Sequence, residues 1–124
     1  MIGNHPIVAA ALFAGAMLGV RGADAHAFLD HASPSVGSTV PSPPGAVTMW
    51  FTQQLEPAFT TATVTDNSGT NVDSAAAAVD PKDPTELRVP LKPLPPGTYT
   101  VTWHALSVDT HTTQGHFNFE VAGK

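Results

Sequence analysis

The chain contains no cysteine. That excludes a disulfide framework, thiolate metal sites and anchoring through a lipid-modified cysteine. Basic residues are scarce, with five Lys plus Arg against ten Asp plus Glu and a formal charge of -5. A nucleic-acid partner needs a basic footprint, which this composition does not supply. Long apolar runs are also missing. The longest, Ile7 to Val20, has 14 residues, whereas a membrane span needs roughly 20. After residue 26 helical periodicity is nearly absent. The 124 residues suffice for one domain with one modest core.

The apolar run is followed by Ala23-Asp24-Ala25, a small-x-small export cleavage site. The first 20 residues hold no Lys or Arg, and Arg21 follows the apolar run instead of preceding it. The expectation is a signal peptide over 1–25, a cleavable N-terminal helix, followed by one domain over 26–124. Cutting after Ala25 leaves 99 residues (124 minus 25). Arg21 and Asp24 depart together, so the mature charge stays at -5 (four basic, nine acidic). The expected location is the periplasm, or the cell exterior where a source has none, as a soluble monomer.

Beyond residue 26, Thr, Val, Pro and Gly dominate, and alternation at period two recurs. Val47, Met49 and Phe51 alternate with Thr48, Trp50 and Thr52. Phe59 to Asp66 reads as a Thr-rich strand ending at the turn Asn67-Ser68-Gly69. Glu86 to Leu91 reads as a short strand. Tyr99, Val101, Trp103 and Ala105 alternate with Thr98, Thr100, Thr102 and His104; Phe117, Phe119 and Val121 alternate with His116, Asn118 and Glu120. Proline clusters at 41–44, 81–84 and 93–96 mark the connections, because Pro cannot donate to a sheet ladder. The Ala-rich segment Ser74 to Val79 is compatible with a loop or one helical turn. The pattern predicts an all-β Greek-key sandwich or barrel of about seven strands. Trp103, Tyr99, Phe51, Phe117 and Phe119 are expected to form most of its core.

Five histidines remain after residue 25: His26, His31, His104, His111 and His116. Cleavage would make His26 N-terminal, so its α-amine and ring Nδ1 would form one chelate. Asp109-Thr110-His111 lies between two expected strands. Residues i and i+2 of an extended segment face the same way, so Asp109 and His111 can converge on one ion. An amine, two imidazoles and a carboxylate make an N₃O set, which favours Cu(II) or Ni(II), with Cu(II) first in the affinity series. Zinc prefers a tetrahedral set. Cu(I) prefers soft sulfur, and Met49 is the one methionine of the mature chain. His104 and His116 have outward parity and read as surface histidines, with a weaker second metal site as the sharper alternative. The parity of Trp50 puts it on an outer sheet face.

The motif order resembles the CopC family of periplasmic copper-resistance proteins. The matching stretches are His26-Ala27-Phe28-Leu29, Ser33-Pro34-Ser35-Val36-Gly37, Val47-Thr48-Met49-Trp50-Phe51, Pro93 through Trp103, Ser107-Val108-Asp109-Thr110-His111 and Gly115 through Val121. The resemblance implies a cupredoxin-like or immunoglobulin-like sandwich that binds Cu(II) tightly, with His26, Asp109 and His111 as the metal ligands. It also suggests copper exchange with a CopD-like inner-membrane protein. Two features depart from some members: Gln53 stands near the position of a site Glu, and residues 67–85 contain no methionine. The chain is therefore expected to be a non-enzymatic, single-site Cu(II) carrier or buffer in copper resistance or uptake. A copper monooxygenase of the N-terminal-histidine type and a metal-free structural sandwich are the competing classes.

Overall fold

The computed structural model describes residues 28–123. The expected leader helix and His26 lie outside the described residues. Eight strands follow: β1 (Leu29–Ser33), β2 (Thr39–Val40), β3 (Ala46–Phe51), β4 (Thr61–Thr65), β5 (Ala78–Asp80), β6 (Asp83–Pro90), β7 (Gly97–Leu106) and β8 (Thr112–Val121). They form two four-stranded sheets in the orders β1-β3-β6-β5 and β2-β8-β7-β4. The β2–β8 pair is parallel and the others are antiparallel. Five of the seven connections cross from one sheet to the other, so the all-β sandwich expected from the alternation is the fold observed. No helix among the described residues is long and apolar enough to cross a membrane.

Period-two patterning decides which side chains enter the core, because successive Cβ atoms point to opposite faces. Val47, Met49 and Phe51 of β3 and Leu87 and Val89 of β6 face Tyr99, Val101, Trp103 and Ala105 of β7 and Phe117, Phe119 and Val121 of β8. All five aromatics assigned to the core are buried. Trp103 meets Phe51 edge-on at 5.9 Å between centroids, and Tyr99 stacks on Phe119 at 5.5 Å. Opposite Trp103 in the ladder stands Gly115. A Cβ there would lie 2.6 Å from the indole ring, so the glycine is required by close approach.

Several boundaries differ from the sequence expectation. Phe59 does not begin a strand. Pro57–Phe59 forms a 3-10 turn, with the Phe59 amide donating to the Glu56 carbonyl at 3.1 Å. Pro57 favours this, since its fixed φ suits the first position of a helical turn. The Ala-rich stretch yields the short strand β5, which ladder pairing with β6 (Val79 opposite Leu87) imposes. β6 starts at Asp83 and so includes Pro84, whose carbonyl accepts from the Leu55 amide at 2.9 Å. Eight strands are described against about seven expected; alternation does not mark β1, β2 or β5, and β2 and β5 have only two and three residues, too short to show it.

Candidate metal centre

β7 and β8 are joined by residues 107–111. Ser107 donates its amide to the His111 carbonyl, and Thr110 donates to the Ser107 carbonyl, both at 2.9 Å. The loop is thus three residues, Val108 to Thr110, closed by a left-handed residue, a common hairpin geometry. Thr110 occupies that position with φ 73°. A β-branched residue is uncommon there, and the conformation costs about 1–2 kcal/mol. The segment is therefore a turn, which corrects the extended conformation expected for Asp109-Thr110-His111. The two side chains nonetheless meet, with Asp109 Oδ1 3.3 Å from His111 Nδ1. Both are about half exposed.

Ser107 organises this pair. Its side chain is fully buried. The hydroxyl donates to Asp109 Oδ1 and lies 3.2 Å from the His111 carbonyl. The Ser107 hydrogen bond holds the Asp109 carboxyl below the usual carboxylate range; partial desolvation opposes this, and the His111 contact adds to it. The carboxylate is therefore ionised at neutral pH. Sequence reasoning gave Ser107 no role of its own. The signal was the spacing Ser-x-Asp, which lets a hydroxyl reach a carboxylate two residues on.

The segment after β3 ties the first described residue to this hairpin. Phe28 donates its amide to Thr52 Oγ1 at 3.0 Å, and the Thr52 amide donates to the Phe28 carbonyl at 2.9 Å. Two residues on, the Gln54 carbonyl accepts from the Val108 amide at 3.0 Å, and Leu55 bridges Ser107. Phe28 and Asp109–His111 therefore share one end of the sandwich. Among the described residues, three of the four exposed large apolar side chains, Phe28, Val108 and Phe59, belong to the segments meeting there. Gln53 sits half-buried on the connecting segment.

The remaining histidines separate. His31 on β1 hydrogen-bonds Asp30 Oδ2 at 2.8 Å and stacks on Trp50 at 4.5 Å between centroids. Trp50 lies on the outer face, as its parity required, and donates from Nε1 to Glu86 at 3.1 Å. His104 on β7 and His116 on β8 are exposed, again as parity required. Met49 is fully buried in the core, so it is not open to a metal. Among the described residues no three His, Cys, Asp or Glu side chains cluster to hold an ion.

Comparison with known proteins defines the class. The CopC domain matches residues 29–122, so the chain belongs to the CopC family. Among its relatives, Protein YobA of Escherichia coli K12 is 41% identical over 98 residues, covering 78% of this chain and 79% of that one. The crystal structure of CopC from Methylosinus trichosporium OB3b superposes with a TM-score of 0.73 at 33% identity, covering 78% of this chain and 94% of that one. PcoC, a methionine-rich copper resistance protein from Escherichia coli, gives a TM-score of 0.70 at 33% identity, with 78% and 99% covered. The role of this chain is therefore copper-related. It differs from a methionine-rich relative in having a single methionine, Met49, beyond residue 25.

Proposed function

We propose that the chain is an exported Cu(II) carrier or buffer, acting outside the cytoplasm, whose ligands are the His26 amine and imidazole, Asp109 and His111. The observation that carries this is the Asp109–His111 pair, 3.3 Å apart on the hairpin beside which Phe28 is held. His26 precedes Phe28 by two residues, a reach of at most about 7 Å at ~3.5 Å per residue. The pair supplies one nitrogen and one charged oxygen, and a free N-terminal histidine would supply two more nitrogens, the donor set Cu(II) favours. Burial of Met49 removes the soft ligand that Cu(I) would need. The function is binding and transfer, without turnover of a substrate. The exposed Phe28, Val108 and Phe59 suit contact with a CopD-like membrane protein that exchanges the copper.

Cleavage is then part of the mechanism, because the amine exists only after the leader is removed. The test is mass determination of the exported protein, then Cu(II) titration of chains starting at His26 and of chains with one extra residue before it. Tight binding with a weak d–d band is expected for the first and its loss for the second. Equal binding in both would exclude the amine as a ligand and overturn the assignment.

A further inference from the structure

We propose a second, weaker divalent-metal site on the outer face of the β7–β8 ribbon, formed by His104 and His116. Backbone register places Thr102 opposite His116 and His104 opposite Gln114. His104 and His116 are thus diagonal neighbours on one face. In an antiparallel pair such positions lie about 7–8 Å apart, within reach of long side chains. Each imidazole extends several ångströms beyond its Cβ, so the separation suits one ion between the two rings. The surface above them is hollow. A recess of about 480 Å³ is lined by Phe59, His104, Ala105, Thr112, Thr113 and Gln114. A second, of about 400 Å³, is lined by Thr102, His104, Gln114, Gly115 and His116. The two share His104 and Gln114, so a hydrated ion has room beside both histidines.

Two independent features favour a cation here. First, the sheet β2-β8-β7-β4 carries no Lys or Arg. Among the described residues Arg88 lies on β6, and Lys82 and Lys92 lie in the segments flanking it, so no positive charge of the sheet itself competes with a metal. Second, no side-chain hydrogen bond or ring contact engages the imidazole of His104 or His116 among the described residues, in contrast to His31 with its Asp30 bond and Trp50 stack. Two neutral imidazoles with water completing the shell suit Cu(II) ahead of Zn(II). The site stands about 10 Å along β7 from Ser107, at ~3.3 Å per residue over three residues. An ion held there is positioned near the Asp109–His111 hairpin. The inference does not depend on the assignment of that hairpin as the primary site.

The test uses the exported protein carrying Asp109→Asn and His111→Ala, titrated with Zn(II) and followed by the ring-proton NMR signals of each histidine. The signals of His104 and His116 are expected to shift together with one midpoint. His104→Ala should abolish the response of His116, and the converse should hold. Each single variant should weaken binding at least tenfold, and the double variant should weaken it no further, the coupling expected of a chelate. Gln114→His adds a third imidazole opposite His104 and should tighten binding at least tenfold. Separate midpoints for the two histidines, an unchanged His116 response in His104→Ala, or no gain in Gln114→His would overturn the proposal. Failure of the primary-site reading would appear instead as unchanged Cu(II) affinity on losing Asp109 and His111, leaving these signals unaffected.

Discussion

The two sheets use histidine in opposite ways. On the outer face of β1-β3-β6-β5, His31, Trp50 and Glu86 stand side by side in register. The imidazole stacks on the indole and bonds Asp30, and the indole donates to Glu86. Each of these three side chains has an intramolecular partner. The outer face of β2-β8-β7-β4 is mostly threonine, with His104, Gln114, His116 and Asn118. Among the described residues the side chains of His104 and His116 find no such partners, and the hairpin joining the two long strands presents Asp109 and His111. An imidazole stacked and hydrogen-bonded to its neighbours is held by the fold, whereas one without such contacts is free to reorient toward an ion. The difference teaches that counting histidines does not separate structural side chains from available ones; their engagement does.

The comparison breaks most directly at the hairpin. His111→Ala or Asp109→Asn should lower Cu(II) affinity by more than the roughly 10–100-fold typical of losing a supporting group outside the ligand set. Unfolding midpoints should barely move, since both side chains are about half exposed. Calorimetric Cu(II) titration beside urea unfolding checks this, and retained affinity would place the primary site elsewhere. The next largest effect lies under the same sheet. Gly115→Ala puts a Cβ 2.6 Å from the Trp103 ring, and overpacking of this kind costs about 1–3 kcal/mol. Urea denaturation should show the loss, with a red-shifted Trp emission reporting displacement of the indole.

On the opposite sheet His31→Ala should cost only about 0.5–1.5 kcal/mol through loss of the Trp50 stack. Copper affinity should be unchanged, which is what separates an engaged histidine from an open one. A change in affinity comparable to that of His111→Ala would dissolve the contrast between the sheets. The smallest effect concerns Asp66, just past β4. Its carboxylate accepts from the Ser68 hydroxyl at 2.7 Å and from the Thr70 amide at 3.0 Å, and these bonds lower its pKa. A depressed folded value adds stability above the unfolded pKa of about 3.9, and that stability disappears as pH falls through the folded value. The stability gap between the native chain and Asp66→Asn should therefore be constant at neutral pH and narrow below about pH 4. Urea midpoints at pH 7 and pH 3 measure it.

The fold was largely legible because a period of two leaves a strong imprint. Met49, Phe51, Trp103 and Phe119 could be assigned inward from their neighbours alone, and all four are buried. The strands that the alternation did not mark are Leu29–Ser33, Thr39–Val40 and Ala78–Asp80; the first has no clean period of two, the other two are too short to alternate, and all three exist through pairing with β3, β8 and β6. Asp109 and His111 were legible as a pair from their spacing, but for an incomplete physical reason. Their meeting depends on the left-handed turn at Thr110 and on the Ser107 hydroxyl, neither of which threonine or serine propensity announces.

What the sequence determined by itself is the class of structure and the inventory of donors. Alternation requires a two-faced sheet, the absence of cysteine removes thiolate donors, and the small-x-small motif marks an expected cleavage point before His26. Tertiary structure alone decided which donors stand together. The reason is that ladder register and loop closure act between residues far apart in the chain. The bonds of Thr52 to Phe28 and of Gln54 to Val108 bring Phe28, the first described residue, beside the β7–β8 hairpin. The β7–β8 register sets His104 diagonal to His116, and no local pattern encodes either relation.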